Sequence, residues 1–317
     1  VFSSQERIGT RGAVLSDMTL PRRVVPGMIQ MVTRRALRRT HLLRPDPKFN
    51  QLCLYLLAVY SERYNIEVHA VVFMSNHEHL VVTDKDGRIP DFLRDYHRAL
   101  ALGTKVLRGW EGTLWDSDPS SRVQLCTAQA VIEKLAYLMA NPVQAALVHR
   151  AEDWPGINTL PHDLGSKTWT VARPDFYFDA DNPQWPTTAT LRLTMPRTPW
   201  AQQEVQRRVA QELMRLESEA HCRIRAKGLR VLGRSGVLRG SPYERSTSWE
   251  PLRGTNPSIA AGRGQRQAFF QAANLLRTFR AAYRLALEWW RRGYRDVVFP
   301  TATWQMRWLH GVQVAPG

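Results

Sequence analysis

Apolar and polar positions divide the chain into recognisable elements before any chemistry is read. Residues 28–33 form a strand-like piece directly after the turn-prone pair Pro26-Gly27, and the basic run Arg34, Arg35, Arg38 and Arg39 follows it. Asp46-Pro47 reads as a cap with a first-turn proline, and Phe49, Leu52, Leu56 and Val59 then recur at helical spacing. Residues 66–73 alternate as a strand, Ser75-Asn76 is a turn, and 77–82 returns as the hairpin partner. Asp86-Gly87 breaks the pattern, and residues 89–106 read as a second helix with Phe92, Tyr96 and Leu100 on one face. Short β-prone pieces at 113–115 and 122–126 precede a third helix over 128–140, which Pro142 is expected to stop at Asn141. The order βαββαβ followed by a helix predicts an α+β fold, an antiparallel sheet backed by helices.

The texture changes near residue 150, and two units are expected in a chain of 317 residues. Residues 1–26 read as a flexible leader, 27–150 as the sheet domain, and 151–196, with Trp154, Trp169, Trp185 and many prolines, as irregular polypeptide laid over it. Residues 197–317 read as a mostly helical, basic accessory domain. Thr198-Pro199 caps a helix that ends near Lys227-Gly228, with Val205, Val209, Leu213 and Leu216 as its stripe. Residues 233–264 are expected to be a mobile loop. A second long helix over 265–292 carries Phe269, Leu276, Phe279, Tyr283 and Leu287 on one side and Arg277, Arg280 and Arg284 on another. The aromatic tail, with Trp304 and Trp308, suits helix packing better than base stacking.

Composition narrows the partners. The formal net charge is +16 and the isoelectric point is about 10.4, the footprint of a polyanion binder. Of the 44 basic residues only six are lysine. Arginine grips phosphate with a planar fork and stacks on bases, although a GC-rich genome would raise the same ratio without any contact to nucleic acid. Cys53, Cys126 and Cys222 are far apart with no C-x-x-C spacing, which argues against a disulfide framework and a zinc ribbon. No apolar stretch is long enough to span a bilayer, so a cytoplasmic, nucleoid-associated protein with no membrane partner is expected.

Candidate chemistry lies in two places. His77 and His79 are alternate residues of a strand and point to one face, where their imidazoles can share a metal ion. Tyr137 and Asn141 are at i and i+4 of a helix and share a face there. Together they offer two nitrogen ligands, an amide oxygen and a phenol, parts that suit metal-assisted attack of tyrosine on a phosphodiester. Each piece alone is weak, since a His-x-His pair or a helical tyrosine is common. Order, separation and strand-then-helix context give the set its weight. Neutral imidazoles and an amide leave open positions for phosphate and water on Mg2+ or Mn2+, whereas hydrolytic zinc would want a third strong ligand and a base. His69 could face the same site across the hairpin, but the register is open and a solvated strand histidine is the commoner outcome, while His97 has no partner at ligand spacing and is set aside.

Met74-Ser75-Asn76-His77-Glu78-His79-Leu80, Leu114-Trp115-Asp116, Tyr137-Leu138-Met139-Ala140-Asn141-Pro142-Val143 and Asp153-Trp154-Pro155 resemble the single-tyrosine HUH transposases, and among them the REP-associated tyrosine transposases. The resemblance covers roughly residues 27–160 and implies a ferredoxin-like catalytic domain. In it His77, His79 and Asn141 would bind the divalent ion and Tyr137 would attack single-stranded DNA. A 5′-phosphotyrosyl intermediate and a free 3′-hydroxyl would follow, at hairpin or palindromic repeat ends. One position departs from the pattern: Glu78 stands where a bulky apolar residue usually anchors the strand. Rival expectations are a domesticated DNA-binding protein without strand transfer, or a metal-dependent hydrolase of nucleotides or RNA. The basic residues Arg34, Arg35, Arg38, Arg39, Arg277, Arg280 and Arg284 are the expected DNA contacts, with homodimerisation or stability as the alternative task of the second half.

Overall fold

The computed structural model describes residues 20–247 and 257–316. The leader expected over 1–26 therefore falls mostly outside the described residues, as does part of the expected loop over 233–264. The chain divides into two compact units, residues 24–275 and residues 1–23 with 276–317.

The larger unit opens with β1 (Met28–Arg35), α1 (Pro47–Arg63), β2 (Ile66–Met74), β3 (His77–Asp84), α2 (Ile89–Arg108), β4 (Ser121–Leu125) and α3 (Ala128–Gln144). The sheet order is β2-β3-β1-β4-β7, where β7 (Ile259–Ala260) pairs parallel to β4 and every other pairing is antiparallel. With β1 and β3 central and helices after β1 and β3, this is the ferredoxin-like α+β arrangement. Local signals explain the boundaries. Asp46 accepts a hydrogen bond from the Phe49 amide (3.0 Å) to start α1 ahead of Pro47. The two-residue turn Ser75-Asn76 joins β2 to β3 with Met74 opposite His77. Gly109, at φ 57°, ends α2. Thr127 accepts from the Ala130 amide (3.1 Å) to start α3.

The expectation that Pro142 ends α3 is corrected: the helix runs through it to Gln144. A proline this close to the end forfeits one helical hydrogen bond, and the next turn is still closed by Ala145 N–H donating to Asn141 O (3.0 Å). Asn141 therefore keeps helical geometry and its i, i+4 relation to Tyr137.

Alternation within the strands sends side chains to two covered faces. On one face Met31, Val72, Met74 and Val81 pack under Leu135 and Met139 of α3. α4 (Gln202–Ala226) closes over α3 with its buried stripe Val205, Val209 and Leu213 and half-buried Leu216. The expected stripe is there, but the expected cap is not: the helix starts at Gln202, beyond Thr198-Pro199, and Ala201 at the N-cap offers no side-chain bond. Glycine at φ 59°, Gly228, follows its end as expected.

Two other expectations change. Residues 151–196 are not wholly irregular, because β5 (Thr168–Ala172) and β6 (Thr188–Arg192) pair antiparallel, with Ala189 and Leu191 of β6 buried where it packs with α1. Residues 233–264 contain the short helix α5 (Arg234–Arg239) and β7. α6 (Arg266–Arg291) ends at Gly293, φ 100°. In the smaller unit Ala286, Phe299, Met306 of α7 (Gln305–His310) and Val312 form a core, with Tyr283, Leu287 and Trp290 against it. The tail thus packs on α6, while Trp308 stays 59% exposed. No described helix is long and apolar enough to cross a membrane.

Candidate functional site

β3 and α3 bring His77, His79, Tyr137 and Asn141 to one end of the sheet. β1 pairs Thr33 with His79 and Arg35 with His77, so these four side chains share the face that α3 covers. The imidazoles of His77 and His79 lie 4.8 Å apart between centroids, nearly perpendicular at 79°. The His79 ring is 5.7 Å from the ring of Tyr137. Asn141 Nδ2 donates to His79 Nε2 (3.0 Å), and the other nitrogen, Nδ1, donates to Thr33 Oγ1 (2.7 Å). His77 Nδ1 likewise donates to Asn76 Oδ1 (2.7 Å). Both rings thereby turn Nε2, the lone-pair nitrogen of this tautomer, away from their anchors.

Electrostatics hold His79 neutral. Burial pushes its pKa well below the ordinary histidine range, and positive charge on Arg35, on Lys134 and on His77 whenever that ring is protonated pushes the same way. Lys134 sits three residues before Tyr137, with its ammonium 5.3 Å from the centre of the tyrosine ring. Burial also lowers the Lys134 pKa, partly offset by Glu133. Among the described residues no cluster of three or more His, Cys, Asp or Glu could hold a metal. A metal here would therefore need a different third donor, and the Asn141 amide, already against His79 Nε2, fits once its oxygen replaces its nitrogen by a half-turn. Two neutral imidazoles and a carbonyl oxygen suit a six-coordinate divalent ion with positions left for phosphate and water.

The opposite face explains Glu78. It is fully buried, accepting from Tyr96 Oη (2.9 Å) and from His97 Nε2 (2.5 Å), both on α2. Leu80 and Val82, on the same side, are buried as the strand anchor. His97, set aside on sequence, thus has a partner, and its carbonyl accepts from Trp115 Nε1 (2.8 Å). His69 is neither at the site nor solvated: it is wholly buried at a bulge in β2, bonded through Nε2 to Thr83 Oγ1 (2.7 Å) and through Nδ1 to Thr194 O (3.0 Å).

The expected DNA contacts are dispersed. Arg34 is tied to the carbonyls of Asp118 (2.6 Å) and Asp116 (3.2 Å) and lies over the Trp115 ring. Arg35 is exposed beside His77. Arg38 and Arg39 follow in a turn at positive φ, 51° and 58°, with Arg38 exposed and Arg39 donating to Ser246 Oγ (2.9 Å). In the smaller unit Arg277 and Arg284 are exposed and Arg280 is half-buried, its Nε reaching Pro21 O at 3.5 Å. Two site neighbours escaped the sequence reading. Lys134 had a legible signal, its i, i+3 spacing from Tyr137, whereas Thr33 depended on the β1–β3 register.

The fold and site together define an α+β protein with a ferredoxin-like sheet and a His-x-His strand facing a Tyr–Asn helix. No family model matches the chain, and no curated protein does. Among solved structures it is similar to the REP-associated tyrosine transposase bound to a REP hairpin, with 18% identity, 52% of this chain and 94% of that one covered, and a TM-score of 0.40. It is also similar to a protein of Deinococcus radiodurans R1 described as a candidate transposase, with 20% identity, 39% and 97% coverage, and a TM-score of 0.28.

Proposed function

We propose that this chain cleaves and rejoins single-stranded DNA by transesterification at Tyr137, the chemistry of a tyrosine transposase. The observation that carries the reading is the position of His79, which is in hydrogen-bond contact with Asn141, beside the His77 ring and against the Tyr137 ring. In the forward step the Tyr137 hydroxyl oxygen bonds to phosphorus and loses its proton to solvent, while the P–O3′ bond breaks and the 3′ oxygen takes up a proton. The link is a 5′-phosphotyrosine. Because the phosphodiester is exchanged and not hydrolysed, attack by a 3′-hydroxyl reverses the step and needs no ATP.

A protonated phenol is a weak nucleophile, so the electrophile has to be activated. A divalent ion, Mg2+ or Mn2+, held by His77, His79 and Asn141 would draw charge from the phosphate oxygens. The chain's own groups do the positioning. Thr33 and Asn76 orient the two imidazoles, Glu78 anchors the strand between them from behind, and α3 carries the tyrosine against His79. The net charge of +16 supports a nucleic-acid substrate, and hairpin DNA is the form we favour.

The test is cleavage of a hairpin oligonucleotide with single-stranded flanks. Cleavage with Mg2+ or Mn2+, its loss with chelator, its loss in His79→Ala and a milder loss in Asn141→Ala are expected. Cleavage that continues unchanged under chelation contradicts the metal role.

A further inference from the structure

Lys134 is a half-buried cation. Among the described residues its ammonium makes no hydrogen bond and no ion pair. The adjacent carboxylate is spent elsewhere, since Glu133 accepts from Gln129 Nε2 (2.9 Å) and from the backbone amide (2.9 Å) and Nε (3.2 Å) of Arg263. Glu78, one residue from each histidine, faces the other side of the sheet and is held there by Tyr96 and His97. Taking an ammonium partly out of water without a counter-charge is costly, and such groups are ordinarily paired. At i, i+3 from Tyr137 and i, i+7 from Asn141, Lys134 lies on the helix face that also carries those two residues. Arg35, exposed beside His77 on the neighbouring strand, adds a second positive charge to the same end of the sheet.

We propose that Lys134 is a catalytic residue that binds a non-bridging oxygen of the phosphodiester attacked by Tyr137. The inference rests on the reading of Tyr137 given above. A compact ammonium on a flexible stem suits a point contact to phosphate, and the ring below it limits where that point lies. As negative charge accumulates on the phosphate oxygens during attack, a cation fixed beside the nucleophile stabilises the transition state more than the ground state.

The experiment separates this contact from the tyrosine chemistry. Binding of a fluorescent hairpin oligonucleotide is measured against salt in the Tyr137→Phe background, where no bond can form, with Lys134 intact, Lys134→Gln or Lys134→Arg. One lost phosphate contact should make the log–log salt slope shallower by roughly 0.7 in the glutamine variant, and arginine should restore it. With Tyr137 present, Lys134→Gln should slow single-turnover cleavage by roughly 100-fold. If the slope falls but the parent protein never cleaves, the phosphate contact stands and the Tyr137 reading fails. An unchanged slope overturns the proposal whatever happens to the rate. Lys134→Met, which keeps the apolar stem, takes the place of glutamine if that variant melts early.

Discussion

Glu78 lies between two candidate ligands and touches neither. Burying a carboxylate completely demands partners, and Tyr96 Oη and His97 Nε2 supply them from α2. Tyr96→Phe removes one and leaves the carboxylate under-satisfied, so urea unfolding should show a loss of about 1–3 kcal/mol, well above an ordinary surface substitution. His69 makes a pH prediction of opposite character, because burial lowers its pKa to about 4 while the unfolded chain protonates near 6.5. Between those values the unfolded state binds more protons, so the His69 contribution is fully present above pH 6.5 and is lost as the pH falls towards 4. The loss is at most about 3 kcal/mol. In His69→Gln the stability profile over that window should be flatter than in the parent, and an equal slope in both would contradict the assignment. Both residues show where sequence stops being legible. The departure at Glu78 was visible, but its remedy sits on α2, and His69 is buried by a segment that reaches β2 through Thr194.

At the scale of elements, local periodicity located β1 to α3 through caps, turns and alternation, but of the two β-prone pieces before α3 only 122–126 became a strand, while 113–115 contributes a single bridge from Trp115 to Ala36. It failed where pairing is remote. β7 joins β4 through residues far along the chain, and β5 and β6 pair across a long connection with no tight-turn signature. Pro142 misled for a different reason: the residue before proline avoids helix on average, but packing of α3 under α4 overrides that bias. The same packing makes α4 part of the site's scaffold. Leu213→Ala, which empties buried volume between α4 and α3, should cost about 2–4 kcal/mol by calorimetry or denaturation. A shift within a few tenths would mean that α4 is only loosely docked.

At the scale of the whole molecule, an excess of 16 positive charges makes salt the controlling variable for any polyanion. Removal of residues 196–317 would strip α4 from α3, so the contribution of the basic α6 face is better read by charge reversal within the full chain. Arg277→Glu, Arg280→Glu and Arg284→Glu together should weaken single-stranded DNA binding and make the salt slope shallower by up to about 2. An unchanged slope would assign that face to solvent or to a second protein. The proposed link is covalent, so it is sought by incubating the full chain with a labelled hairpin oligonucleotide and a divalent ion, followed by denaturing electrophoresis and mass spectrometry of the shifted band. The expected result is a DNA–protein adduct through a 5′-phosphate on Tyr137, absent in Tyr137→Phe although that variant still binds. An adduct on another residue, or cleavage by the Tyr137→Phe protein, would rule out Tyr137 as the nucleophile.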